Sequence, residues 1–173
     1  VPLPIAYSLL SASLTALLLL PVVAAQGRVR APTLAQLPRL LLVCVAVVLD
    51  LALSNVAISL LPLPLQQAIA SAVPAATIVL ETLVRRRCKP LATWLVVAML
   101  CAGAVMSHLG SRPYIQTYSA SGVGELSMLL AILFAACKYV FAKETMMSYR
   151  EELGAISLLF WIEILISLML LPW

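Results

Sequence analysis

The chain has 173 residues, of which 64% are hydrophobic and 10% are charged, and its net charge is +4. Soluble domains average roughly 25% charged residues, so a soluble core could not hide this much apolar surface, whereas a lipid bilayer accepts it. The positive charge argues little for nucleic acid, because most Lys and Arg residues fall between long apolar stretches, where membrane topology explains them. The composition therefore predicts a membrane protein.

Six apolar stretches follow one another, and each is about long enough to cross a hydrocarbon core of roughly 30 Å as a helix. The predicted spans are residues 3–25, 38–60, 65–84, 90–109, 123–146 and 153–171. We expect an all-α membrane protein with six transmembrane helices in one transmembrane domain over residues 1–173. The chain starts and stops inside apolar sequence, so we expect this domain to be incomplete at both ends.

The basic residues between the spans alternate from loop to loop. The first, third and fifth loops, taken with the adjoining ends of the spans, hold Arg28, Arg30, Arg39, Arg85, Arg86, Arg87, Lys89, Lys143 and Arg150. The second loop has no basic residue, and the fourth has only Arg112. By the positive-inside rule, the basic loops face the cytoplasm.

Three charged residues within the spans are the main candidates for function, because charges at membrane depth are costly. Lys138 lies about one turn before the end of the fifth predicted helix. It either extends its amine to the interface or holds an anionic solute in a cavity, and the sequence does not separate these roles. Asp50, in the middle of the second span, and Glu163, near the centre of the sixth, either relay protons or pair with Lys138 or a basic loop residue, and pairing is the favoured role.

Catalytic and metal-binding patterns are missing from the sequence. There is no HExxH, GxSxG or P-loop motif, and the four cysteines have no metal-type spacing. We therefore expect no enzyme activity, no cofactor and no metal.

Several stretches resemble one transporter family in the same order along the chain. They are SNVAIS at 54–59, LPLQQAIASAVP at 63–74, PLATWL at 90–95, Gly103, Val123-Gly124 and KYVFAK at 138–143. This series resembles the triose-phosphate translocator family of the drug/metabolite transporter superfamily, which is close to the nucleotide-sugar transporters.

The resemblance implies a ten-helix transporter of two inverted five-helix repeats, of which this chain supplies the second to seventh helices. The expected function is secondary transport of a phosphorylated sugar or nucleotide sugar, by antiport. Lys138 would hold the anionic group of the substrate. The other expected substrate-binding residues are Asn55, Gln67, Ser71 and Tyr139, and the expected structural or gating residues are Pro74 and Asp50.

Two departures from the family keep other functions open. Plastid phosphate antiporters carry a phosphate-binding lysine where this chain has Ala70, and often a histidine where it has Leu51. The alternatives are an exporter of a neutral metabolite in the same superfamily and a non-transporting membrane scaffold. The expected partners are an anionic small molecule and the lipid bilayer, with a homodimer as an option and no nucleic acid. Golgi or endoplasmic reticulum is favoured over plastid.

Overall fold

The computed structural model describes residues 3–25, 31–86, 89–110, 122–149 and 154–171. These ranges contain helices and no strand. The helices are α1 (Leu3–Ala25), α2 (Leu37–Leu60), α3 (Leu63–Ala70), α4 (Val73–Arg85), α5 (Leu91–Gly110), α6 (Gly122–Tyr149) and α7 (Ala155–Leu170).

Four helical segments are long and apolar enough to cross a membrane, as a multi-pass integral membrane protein requires. They are Ala6–Ala25, Leu37–Leu60, Leu65–Arg85 and Gly122–Tyr149. The apolar segments Leu91–Met106 and Ala155–Leu170 are shorter. The all-α membrane class is thus supported, while six spans and a ten-helix repeat stay predictions. Of the basic loop residues, Arg28, Arg30, Arg87, Arg112 and Arg150 lie outside the described residues.

The third predicted span, 65–84, is two helices rather than one. The break lies at Ser71 and Ala72, between α3 and α4. Pro74 explains it, because proline lacks the N–H that a continuous helix needs and its ring clashes with the carbonyl four residues earlier. The N–H of Ala72 instead donates to the Ile69 carbonyl over 3.0 Å, which closes a tighter turn.

The fifth predicted span also differs, because α6 continues to Tyr149. Lys138 therefore lies about three turns from the end of its helix. The prediction of one turn was too short even for a helix that ends at residue 146, which is about two turns after Lys138. The other spans agree with the structure to within a few residues.

The chain divides into two compact units. The central unit comprises residues 49–140, and the terminal unit comprises residues 1–48 and 141–173. In the central unit, α3 and α4 both pack against α5. A small apolar core consists of Ala57, Leu61, Leu65 and Met128, with Ile69 and Ala70 packed against it.

Gly124 of α6 is a point of very close packing in the central unit. A Cβ atom added to Gly124 would lie 2.9 Å from Cβ of Leu60 and 3.0 Å from Cγ of Leu61. Only glycine fits at such a distance without a shift of the neighbouring chain. The beginning of α6 is thereby held against the end of α2.

In the terminal unit, α1 packs along α7. Small residues of α1 allow this approach, because Ala12 and Ala16 are buried and Ser13 faces Ser167, with their hydroxyl oxygens 3.5 Å apart. The single transmembrane domain expected over residues 1–173 is not tested by this division and stays a prediction.

Candidate functional site

An ion pair joins two helices of the central unit. Nζ of Lys138 in α6 donates a hydrogen bond to Oδ2 of Asp50 in α2. The side chains are 25% and 12% exposed, respectively, so the bond is largely withdrawn from the surroundings. Asp50 is near the middle of α2, about 15 Å from its C-terminal end at 1.5 Å per residue. Two opposite charges therefore meet at a depth where either alone would be costly.

Neighbouring side chains hold both members of the pair. The hydroxyl of Ser54, one turn after Asp50, lies 3.4 Å from Oδ1 and donates to it, so each carboxylate oxygen has a partner. Nζ of Lys138 also lies 5.3 Å from the centroid of the Tyr139 ring, within the range of a cation–π contact. The Lys138 amine is thus held inside the central unit and does not extend along α6 toward an interface.

The pair opens onto a cavity of about 290 Å³. Its lining residues are Asp50, Ser54, Ala70, Val73, Met128, Ala131, Ile132, Ala135, Lys138 and Tyr139. Among the described residues, Asp50 and Lys138 are the only charged ones in this lining. The remainder offers two hydroxyl groups and apolar walls, so the cavity could orient a small polar solute through a few fixed groups.

The helix break contributes directly to the cavity. Ala70 is the last residue of α3 and Val73 is the first of α4, and both belong to the lining. Because residue 70 is an alanine, Lys138 is the one cation in the described lining of this cavity.

The predicted site residues divide into two groups. Lys138, Tyr139 and Asp50 line the cavity together. The other four, Asn55, Gln67, Ser71 and Pro74, are not in its lining.

Each of these four has its own surroundings. Nδ2 of Asn55 is buried and meets no hydrogen-bond acceptor among the described residues. Gln67 and Pro74 are exposed. The hydroxyl of Ser71 donates to the Ala68 carbonyl over 2.6 Å, which satisfies it within its own turn. Their roles in substrate binding or gating stay predictions.

Sequence reasoning missed the apolar wall of the cavity. Met128, Ala131 and Ala135 precede Lys138 at intervals of three, four and three residues, so all four side chains share one face of α6. This helical periodicity was the available signal. An alanine-rich face leading to a lysine marks the side of the helix that leaves room for a solute.

A second ionic cluster stands at the end of α4. The buried carboxylate of Glu81 lies 2.9 Å from Nζ of Lys89 and 3.6 Å from a guanidinium nitrogen of Arg85. Arg85 is one turn after Glu81, so it meets the acid as an i, i+4 pair. These contacts account for Glu81 as a structural partner of the basic segment.

Metal ligands do not cluster in the described part of the chain, where no three His, Cys, Asp or Glu side chains could hold an ion together. No protein-family model, curated protein or solved structure matches the chain.

Proposed function

We propose that this chain belongs to a secondary transporter that carries a phosphorylated sugar or nucleotide sugar, by antiport, through the cavity of the central unit. The observation that carries the proposal is the ion pair of Asp50 and Lys138 lining that cavity inside apolar helices. Ionisable residues within membrane spans typically mark the path of a substrate or ion. The ordered resemblance to triose-phosphate translocators supports the same class and the ten-helix inverted repeat.

The broken helix supports transport further. Transporters commonly build midplane sites from discontinuous helices, since irregular backbone is tolerated at membrane depth only where it is buried in protein or faces a cavity. The α3–α4 break has this character, because Ala70 and Val73 on either side of it line the cavity. A helix that only filled space between neighbours would not need such a break.

Each charged residue has a role in this proposal. Lys138 binds the anionic group of the substrate, Asp50 is its counter-ion when the site is empty, and Tyr139 packs beside the bound group. Asn55, Gln67 and Ser71 take part in later steps of the cycle, when helices rearrange around Pro74.

Uptake into proteoliposomes tests the role of Lys138. The full-length protein, reconstituted with Lys138→Ala, should lose exchange of labelled sugar phosphates and nucleotide sugars, because the cavity then has no cation for the anionic group. Lys143→Ala is the matched control, since Lys143 is an exposed lysine of the same helix. Unchanged uptake by Lys138→Ala would contradict the proposal.

A second candidate is export of a neutral metabolite, and one observation favours it. The described lining has no cation besides Lys138, and Asp50 already neutralises that residue. Competition separates the candidates, because phosphate and free nucleotides should inhibit uptake by an anion carrier and leave a neutral carrier unaffected.

The scaffold alternative makes a different prediction for a double substitution of Asp50 and Lys138. A scaffold that uses the pair to join helices should lose stability or partner binding. A transporter should keep its fold and lose flux.

A further inference from the structure

The charges of the cavity restrict what can bind there. The described lining contains one ammonium group and one carboxylate, and they are bonded to each other. The site therefore carries no net charge, although it holds a strong donor and a strong acceptor. A solute that uses either charged group must first separate the pair.

A substrate that is only an anion would separate the pair at high cost. It would take the amine of Lys138 and leave the Asp50 carboxylate, which is 12% exposed, without a cation. Breaking a buried pair by removing one partner is strongly unfavourable, because the remaining charge is uncompensated. An uncharged solute avoids this cost and uses neither charged group.

A solute with both an anion and an amine removes the difficulty, since it provides a new partner for each side chain. We propose that the substrate of this site carries an ammonium group as well as its anionic group, and that it binds by inserting between Lys138 and Asp50. This inference rests on the proposed transport function and specifies its substrate class.

The contacts of Asp50 suit this exchange. Oδ1 is held by Ser54, while Oδ2 meets Lys138. When the Lys138 amine binds the anionic group of the solute, Oδ2 accepts a hydrogen bond from the ammonium group of the solute. Ser54 meanwhile keeps the carboxylate in position. The inferred substrate is a small organic anion that also carries an amine. A phosphorylated amino sugar is one such solute, and it also belongs to the sugar phosphates proposed above as substrates.

Matched solutes test the inference. Three pairs differ by an amine in place of a hydroxyl: glucosamine 6-phosphate and glucose 6-phosphate, phosphoserine and phosphoglycerate, and alanine and lactate. Binding is measured as thermal stabilisation of the purified full-length protein, and transport as uptake into proteoliposomes. We expect the amine member of at least one pair to bind about tenfold to a hundredfold more tightly, the usual effect of one hydrogen bond to a charged group.

Variants assign the preference to its residues. Asp50→Asn should abolish the preference for the amine, Asp50→Glu should restore part of it, and Lys138→Gln should weaken both members of the pair. The Asp50→Glu variant keeps the test valid if Asp50→Asn does not fold.

Three results would overturn the inference. The first is that the amine and hydroxyl members bind equally in every pair whose binding is weakened by Lys138→Gln. That result would contradict the need for an ammonium group but would still agree with the proposed transport of anions. The second is a preference for the amine that Asp50→Asn leaves intact. The third is that no amine member of any pair binds.

Discussion

The central and terminal units accommodate polar groups in apolar helices in different ways. In the terminal unit, the hydroxyls of Ser13, Thr15 and Ser167 each donate to the carbonyl four residues earlier, over 2.7–2.9 Å. These polar groups are satisfied within their own helices, as serine and threonine commonly are inside membrane spans. Only the longer contact of 3.5 Å between the hydroxyls of Ser13 and Ser167 joins two of these helices.

In the central unit, the opposite charges of Asp50 and Lys138 pair with each other across two helices, with Ser54 and Tyr139 as further partners. Such a pair constrains where α2 and α6 meet, and it faces the cavity of the central unit. The function of a polar group in a membrane span is therefore better indicated by the partner that it binds than by the fact that a polar group is there. A hydroxyl bonded to its own helix indicates local structure, whereas a charge bonded to another helix indicates a site.

The largest effect should come from removing one member of the central pair. Lys138→Met leaves Asp50 without a cation and should destabilise the full-length protein by about 3–5 kcal/mol, the usual cost of breaking a buried pair. The double variant Lys138→Met/Asp50→Asn should recover much of this loss. Thermal unfolding in detergent measures both, and additive effects of the two substitutions would contradict the coupling.

Glu163 of the terminal unit provides the matched comparison. No hydrogen bond or ion pair reaches its carboxylate within the described residues. Glu163→Gln should therefore change stability by less than about 1 kcal/mol, because the substitution leaves no cation behind. If Glu163→Gln and Lys138→Met lowered the free energy of unfolding equally, the loss in Lys138→Met could not be attributed to the unpaired charge of Asp50.

The next largest effect concerns close packing in the central unit. Gly124→Ala places a methyl group 2.9 Å from Cβ of Leu60, which cannot move without the backbone of α2. We expect a loss of about 1–3 kcal/mol from overpacking, again measured by thermal unfolding.

Gly103→Ala is the control for Gly124→Ala, since a Cβ atom on Gly103 has no heavy atom within 4 Å. Alanine favours a helix over glycine by roughly 1 kcal/mol, so this variant should be neutral or more stable. Equal losses in both variants would exclude the contact with Leu60 as the cause.

One glycine of the terminal unit is required by its backbone conformation. Gly154, just before α7, has a φ of 73° and a ψ of 153°, a conformation that residues other than glycine rarely adopt. Gly154→Ala should cost about 1–3 kcal/mol, with no change in the packing of side chains. A stable Gly154→Ala variant would mean that the segment before α7 can adopt another conformation.

Most helices were predictable from sequence because hydropathy and proline positions fix where an apolar helix begins and ends. Pro74 was predicted as a structural or gating residue, although not as the cause of a separate turn over Ser71 and Ala72. Lys138 was predictable as a candidate, since a lysine in an apolar span is conspicuous.

The geometry of the site was less predictable. Asp50 and Lys138 are 88 residues apart, and a single sequence favours their pairing without fixing it. Asn55, Gln67 and Ser71 were expected to face the cavity. Which side of a helix faces a neighbour depends on its rotation, and helices that are apolar on every side leave that rotation open.

The smallest effect should come from the hydroxyls of the terminal unit, and it provides the sharpest test of the comparison. Ser13→Ala removes a hydroxyl that donates to the Leu9 carbonyl over 2.7 Å and lies 3.5 Å from the hydroxyl of Ser167. Because the stronger of these contacts is within α1 itself, and alanine keeps the close approach to α7, we expect a change below about 0.5 kcal/mol in thermal unfolding. Ser13→Leu is the contrasting variant, since its larger side chain should separate α1 from α7 and lower stability by more than 1 kcal/mol, roughly the cost of overpacking. If Ser13→Ala were as harmful as Ser13→Leu, the hydroxyl rather than the small size of Ser13 would join these helices, and polar contacts between helices would then be a feature of both units.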